Sequence, residues 1–372
     1  MFGSTACTYS TGKATRCVDA LVAERDRSHF LIGTASLLDA ANQIQVVEYN
    51  SSANEVRLVH RFSHKDQVLH LAPSPVHKDL VFTCGKAKGE VAEAVLWKME
   101  RLDDGSDEQT MKPLNAVASL PTQAAAPSKV VWKSADASTT DATLASAHGK
   151  SVFVWKCNDG AISQADRMDA ITSDELDVVT AMQWDPHHDH YMSVSTGSSI
   201  QTWDSRADET AFIIEDAHSQ TVLDFDYNPN KPYTIVSGGD DGKLKFWDLR
   251  RSNKPLLSLA NAHSHWLQSV RYNRFHDQLI LTGGSDAIVG LWRVSSISSA
   301  PIVELDEQDL MNEAASGNDV VDTRIKNYEE HEDSVYSVAW GASDSWIFAS
   351  VSYDGRFVVN QVPSTEKYKI LL

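Results

Sequence analysis

Short apolar runs with the character of β-strands, each bounded by turn residues, recur along the whole chain. Phe30-Leu31-Ile32-Gly33 is followed by the run from Ile44 to Tyr49 and then by Val56 to His60. A second group runs from His64 through Val68 and Leu71 to Leu80-Val81-Phe82-Thr83 and Val95-Leu96-Trp97. A third joins Val130-Val131-Trp132 to Thr143-Leu144-Ala145 and Val152-Phe153-Val154-Trp155, and a fourth holds Val179, Met182 and Trp184, then Met192-Ser193-Val194, then Trp203. In the last three groups the opening strand repeats one pattern: Val222, Phe225 and Tyr227; Leu267, Val270 and Tyr272; Val335, Val338 and Trp340. The pattern predicts an all-β chain built from seven successive strand groups.

A polar ruler runs through the same groups. From His218 the steps to Ser237, Asp241 and Trp247 are 19, 4 and 6 residues; the same steps from His263 reach Thr282, Asp286 and Trp292, and from His331 they reach Ser350, Asp354 and Asn360. Such regularity points to a four-stranded antiparallel blade that cannot cover its own apolar faces and therefore stacks on copies of itself. The His falls in the loop entering the blade, the Ser or Thr on the second strand, the Asp in the turn to the third strand, and the Trp on that third strand. These side chains are placed to share hydrogen bonds where an orphaned polar group would cost roughly 1 to 3 kcal/mol. They do not read as catalytic triads, because no nucleophile elbow or oxyanion loop accompanies them.

The third-strand position sets the period. From Tyr49 the intervals are 48 to Trp97, 58 to Trp155, 48 to Trp203, 44 to Trp247, 45 to Trp292 and 68 to Asn360. Against a repeat of about 40 to 45 residues, the long intervals carry insertions at 100–128 and 298–327. The first, rich in Asp, Gly, Ser, Ala and Pro, predicts a mobile loop. The second is acidic, with Glu304, Asp306, Glu307, Asp309, Glu313, Asp319 and Asp322. The expected blades are 14–62, 63–120, 128–170, 175–215, 217–259, 262–305 and 330–372, forming one domain over 1–372. A ring of blades must also close without leaving bare sheet edges. Residues 4–9 are favoured as the outer strand of the last blade, with Tyr368-Lys369-Ile370-Leu371 competing for the same place.

Charge and composition narrow the function. With 51 acidic against 33 basic residues the net charge is -18, which disfavours nonspecific binding to nucleic acid or anionic membrane. No stretch approaches the roughly 20 apolar residues of a membrane span, and no basic segment precedes an apolar one at the N-terminus; a cytosolic protein is expected. Cys7, Cys17, Cys84 and Cys157 form no CxxC pair and read as buried free thiols. His187-His188-Asp189-His190 looks like a metal cluster, but in a short turn consecutive side chains diverge. With no P-loop, dinucleotide fingerprint or EF-hand spacing, neither an enzyme nor a cofactor is expected.

Trp203-Asp204 and Trp247-Asp248 are the signature dipeptides of WD40 repeats, and the chain resembles a seven-bladed WD40 β-propeller. A narrower likeness is carried by Asn228-Pro229-Asn230-Lys231, the run DDGKLKFWD ending at Asp248, His263-Ser264-His265-Trp266, Val270-Arg271-Tyr272-Asn273 and His276-Asp277-Gln278-Leu279. The run YEEHEDSVY from Tyr328, Ser352-Tyr353-Asp354-Gly355-Arg356 and the terminal KYKILL from Lys367 complete it. These segments resemble the propeller family that interacts with the endosome-associated recycling (EARP) and Golgi-associated retrograde (GARP) tethering complexes. The likeness is dense from about Asp216 onward and thin before Val178. It implies a non-enzymatic scaffold, monomeric by itself, that binds tether subunits. It also implies a place peripheral to the trans-Golgi network and endosomes, with a role in endosomal recycling and vesicle cargo sorting.

Most of the 10 Trp have core duties: Trp97, Trp155, Trp203, Trp247 and Trp292 on third strands, Trp132, Trp184 and Trp340 at the ends of first strands, and Trp346 leading into a second strand. Trp266 alone sits in an entry loop, which makes it a candidate partner anchor, the alternative being that it packs on its own blade's rim. His265 and Arg271 are placed in the same neighbourhood. A different reading comes from Trp203-Asp204-Ser205-Arg206 and Trp247-Asp248-Leu249-Arg250. These are similar to the box by which WD40 substrate receptors dock on the cullin-four ubiquitin ligase adaptor, with Arg206 or Arg250 making the contact. An Arg there also often caps its own strand. Leu249-Arg250-Arg251-Ser252 lacks the Phe-Arg-Arg-Gly run of phosphoinositide-binding propellers, so direct lipid binding is not expected.

Overall fold

Seven sheets follow one another in the computed structural model, six of four antiparallel strands and the first extended by a fifth, and the model describes residues 6–37, 42–86, 92–100, 110–121, 125–133, 142–158, 161–169, 178–299 and 322–371. Strand β1 (Cys7–Ser10) precedes the first blade, which is β2 (Thr15–Ala20), β3 (Ser28–Thr34), β4 (Asn42–Asn50) and β5 (Glu55–His64). The second is β6 (Gln67–Pro73), β7 (Leu80–Lys86) and β8 (Glu93–Lys98), completed beyond β9 (Met111–Pro113) by β10 (Asn115–Ser119). The third is β11 (Pro127–Trp132), β12 (Ala142–His148), β13 (Ser151–Asn158) and β14 (Ala161–Asp169); the fourth is β15 (Val179–Trp184), β16 (Tyr191–Thr196), β17 (Ser199–Asp204) and β18 (Glu209–Ile214). The fifth is β19 (Val222–Tyr227), β20 (Thr234–Gly239), β21 (Leu244–Asp248) and β22 (Leu257–Leu259). The sixth is β23 (Leu267–Tyr272), β24 (Leu279–Gly284), β25 (Val289–Val294) and β26 (Asp322–Tyr328), and the seventh begins with β27 (Val335–Trp340), β28 (Ile347–Ser352) and β29 (Arg356–Gln361). Each blade's first strand lies beside the first strands of its two neighbours, and β27 returns to β2, so the ring is closed.

The core belongs to the joints between blades. Val236, Phe246 and Leu267 pack across the fifth and sixth blades, Leu281, Leu291 and Phe348 across the sixth and seventh, and Phe30, Ile32 and Phe357 across the seventh and first. Both faces of the inner strands are therefore buried, which is why many of them read as continuous apolar runs. The aromatic ending the first strand adds a polar staple. Its indole N–H donates to a carbonyl on the previous blade's first strand: Trp132 to Ala72 at 3.0 Å, Trp184 to Val131 at 3.4 Å and Trp340 to Arg271 at 3.2 Å.

Strand β1 pairs antiparallel with β29, Cys7 opposite Val359 and Ser10 opposite Arg356. Thr15 Oγ1 adds a hydrogen bond to the Ser352 carbonyl at 2.6 Å. The C-terminal segment is not a strand: Ser364–Leu371 forms helix α1, tethered by an Arg293–Glu366 pair at 2.5 Å, with Ile370 against the core between the sixth and seventh blades.

Both insertions need correction. The first is not simply a loop, because β9 lies parallel to β5, Met111 beside Arg61, and β10 is the outer strand of the second blade. The outer edge of β5 would otherwise stay unpaired. The second insertion separates the third and fourth strands of the sixth blade. That blade therefore runs past residue 305 to Tyr328, whose ring is buried against Phe348. Residues 101–109 and 300–321, including the acidic positions from Glu304 to Asp319, lie outside the described residues. Cys17, Cys84 and Cys157 are buried and form no disulfide among the described residues, while Cys7 is half-buried on the closing strand.

Candidate partner-binding site

The spaced polar side chains meet. In the fifth blade Trp247 Nε1 donates to Ser237 Oγ at 3.0 Å, Ser237 lies 2.8 Å from His218 Nε2, and His218 Nδ1 lies 2.8 Å from Asp241. In the sixth, Trp292 donates to Thr282 at 3.0 Å, and His263 bridges Thr282 and Asp286 at 2.8 Å each. With Nδ1 protonated, the chain runs Trp N–H to hydroxyl oxygen, hydroxyl to Nε2, and Nδ1–H to carboxylate, so every donor has an acceptor. Burial pushes the Asp286 carboxyl up, but the hydrogen bond and charge of His263 and the amides of Ser264 and Ile288 bring it down to about 2.

The seventh blade is looser: His331 Nε2 is 2.8 Å from Ser350, its Nδ1 stands 3.7 Å from Asp354, and the buried side-chain amide of Asn360 has no hydrogen-bond partner among the described residues. The second blade keeps His64 and Trp97 on Thr83 at 3.0 and 2.8 Å. In the third, Ser146 binds Trp155 at 2.8 Å and His148 at 2.9 Å. The spacing ruler misses this set because His148 lies at the end of the second strand, not in an entry loop. Trp247→Phe removes one donor and strands the Ser237 oxygen; urea unfolding should show a loss of about 1 to 2 kcal/mol.

These networks aim the rim. Ser264 N–H donates to Asp286 at 2.9 Å and Ser285 N–H to the Trp266 carbonyl at 2.8 Å, fixing both ends of the segment that carries His265 and Trp266. Gly242, at φ +67°, backs the same segment: a Cβ there would sit 2.6 Å from the His263 carbonyl oxygen. Trp266 keeps 49% of its surface exposed and lies 4.8 Å, ring to ring, from His265. Arg271 does not join them. Strand β23 descends from this rim along the channel wall, and Arg271, five residues on, reaches Asp224 at 2.5 Å inside the ring. Arg206 and Arg250 each fork onto their own aspartates, Asp204 at 3.2–3.3 Å and Asp248 at 2.8–2.9 Å, and Arg250 also covers the Tyr233 ring. In the His187–His190 turn, His187 binds the Asn228 carbonyl and His188 binds Asp185, so those imidazoles serve different partners.

The channel holds charges that the sequence pattern missed, because its first strands were read for apolar positions only. Asp224 accepts from the Val270 amide at 3.0 Å and Asp226 from the Tyr272 amide at 2.9 Å, joining the fifth blade to the sixth. Burial pushes the Asp226 carboxyl up to about 6, against the pull of Arg271.

A closed ring of seven four-stranded blades, locked by His, Ser/Thr and Trp networks, defines a WD40-type β-propeller. The family model described as EIPR1 beta-propeller matches residues 3–292, and that of the WD domain, G-beta repeat, matches 322–359. The chain is 35% identical over 378 residues to EARP and GARP complex-interacting protein 1 of Homo sapiens and 32% over 362 residues to EARP-interacting protein 1 of Caenorhabditis elegans, each covering 96% of both chains. It is 30% identical over 363 residues to WD repeat-containing protein DWA2 of Arabidopsis thaliana, covering 97% of both. The chain belongs to the EIPR1 beta-propeller family. Among the described residues no helix is long and apolar enough to cross a membrane.

Proposed function

We propose that this propeller is a non-enzymatic scaffold that binds the EARP and GARP tethering complexes, with the rim at Trp266 and His265 as its anchor. The carrying observation is the end-to-end match, 96% of both chains, to relatives named for interaction with those complexes. The anchor is supported by a half-exposed indole held on a segment pinned at both ends, which limits the entropy lost on docking. On this reading the protein is monomeric alone, cytoplasmic, and brought to endosomes and the trans-Golgi network by its partner, where it supports recycling and cargo sorting. The alternative, docking on a cullin-four ligase adaptor through Arg206 or Arg250, has less support, since both guanidinium groups are already engaged by Asp204 and Asp248.

The test is a pull-down from cells with wild type and Trp266→Ala, read by mass spectrometry. Wild type should recover tether subunits, and the variant should recover at least about tenfold less, the scale of a central interface residue. Equal recovery would remove Trp266 as the anchor. Recovery of the ligase adaptor in place of the tether, lost on Arg250→Ala, would reverse the choice between the two readings.

A further inference from the structure

The channel at the centre of the ring has a volume of about 680 Å3 and a charge opposite to that of the molecule. In a chain of net charge -18, six cations line it: Arg16 and Arg25 from the first blade, Lys129 and Lys133 from the third, and Arg271 and Arg274 from the sixth. Among the described residues three carboxylates accompany them, Asp19, Asp224 and Asp226, and each accepts a hydrogen bond from a backbone amide. Arg271 is neutralised by Asp224, Lys133 pairs with Asp189 outside the channel at 3.3 Å, and Arg16 lies over the Tyr336 ring.

The remaining cations have no close partner. The side chains of Lys129, Arg25 and Arg274 make no hydrogen bond or close ion pair among the described residues, although Asp224 acts on Lys129, and Asp19 and Asp226 on Arg274, from farther off. Burial holds the Lys129 ammonium below its ordinary range, with Asp224 opposing. From the neighbouring second blade His70 faces the same space with a buried Nδ1 that has no hydrogen-bond partner among the described residues, and burial pushes its pKa down to about 3. Taking a cation out of water without a counter-charge costs several kcal/mol. Here that cost falls on Lys129, while the exposed Arg25 and Arg274 stand in water with their guanidinium groups free to meet a ligand, all three drawn from separate walls onto one space of ligand-site size. The first strands end their sheets and turn free edges toward the channel, but the cations come from separate walls and not along one edge, which does not fit a strand added to a single blade. Cations converging from the first, third and sixth blades suit one compact molecule with several charges.

We propose that the central channel binds a small soluble molecule carrying several phosphate groups, held by Lys129, Arg25 and Arg274 with His70 as a hydrogen-bonding partner. This site is independent of the rim at Trp266. Occupied, it would link the first, third and sixth blades and stiffen the ring.

Calorimetric titration of the full chain with inorganic tripolyphosphate and with myo-inositol hexakisphosphate, at physiological salt, tests this. Single-site saturable binding is expected, weakened about tenfold or more by Lys129→Met and by Arg274→Gln, and unchanged in Lys254→Gln, an exposed site outside the channel. Arg274 is exposed and has no close partner among the described residues, so its variant reports even if Lys129→Met fails to fold. No saturable heat with either probe, or an equal loss in Lys254→Gln, would overturn the proposal. Equally tight binding of a hexaglutamate peptide would assign the channel to an acidic protein segment instead. Sedimentation with phosphatidylcholine vesicles containing phosphatidylinositol bisphosphate would move the phosphate onto a membrane headgroup and overturn the soluble source; no sedimentation supports it.

Discussion

Deleting residues 1–10 should lower the melting temperature by about 10 °C or more and produce an aggregating species. Cys7 to Ser10 supply the whole outer strand of the seventh blade, paired along Arg356 to Val359. Cys7 and Tyr9 pack on the core joining the seventh and first blades, and Tyr9 donates to Gln45 at 3.1 Å across that joint. The lost ladder and contacts amount to roughly 5 kcal/mol at about 1 kcal/mol per hydrogen bond plus the apolar area re-exposed. The exposed face is worse than the lost energy. Strand β29 would become a bare edge carrying Phe357, Val358 and Val359, a template for pairing with another chain. Differential scanning calorimetry and size-exclusion chromatography read both effects, and an unchanged transition with the elution volume of the intact chain would show that the ring holds without its first strand.

The second large effect is acid sensitivity set by His331. Burial holds this imidazole down to about 4, with Asp354 pulling the other way. In the unfolded chain it titrates near 6.5, so between these values the unfolded state takes up the proton and the folded state does not. Stability from this group is whole above pH 6.5 and is lost as pH falls toward 4. At about 1.4 kcal/mol per unit, the loss is on the order of 3 kcal/mol. Asp226, raised to about 6, acts in the opposite sense: its protonated folded form gains as pH falls below 6 toward the ordinary carboxylate value. The clean readout is therefore a difference. Urea unfolding from pH 7 to 4 should show wild type losing about 3 kcal/mol more than His331→Gln. Parallel pH profiles would mean that the imidazole is solvated.

The blades were legible because one physical need recurs in most of them. Where the second strand buries a hydroxyl and the third an indole, as in the fifth and sixth blades, the His and Asp that satisfy them stand at set distances along the same chain segment. The steps of 19, 4 and 6 residues are the lengths of two strands and their turns, so local geometry writes them into the sequence. The ruler weakened where the geometry changed, as at His148, which reaches Ser146 from its own strand. It also failed beyond the third strand. Strands β10 and β26 lie across insertions, and what places them is a free edge on β8 or β25, which no periodicity in their own residues records.

Arg271 illustrates the other limit. In sequence it stands five residues from Trp266; in space the two serve different ends of the molecule, because β23 carries one to the rim and the other to the channel wall. Local order along the chain determined the strand class, the blade count and the hydrogen-bonded quartets, since those depend on residues within one repeat. The tertiary structure alone decided which strand closes the ring, where the insertions rejoin their sheets, and how cations from three distant blades come to share one channel. Those outcomes depend on pairing and charge between segments that meet only after the ring has closed.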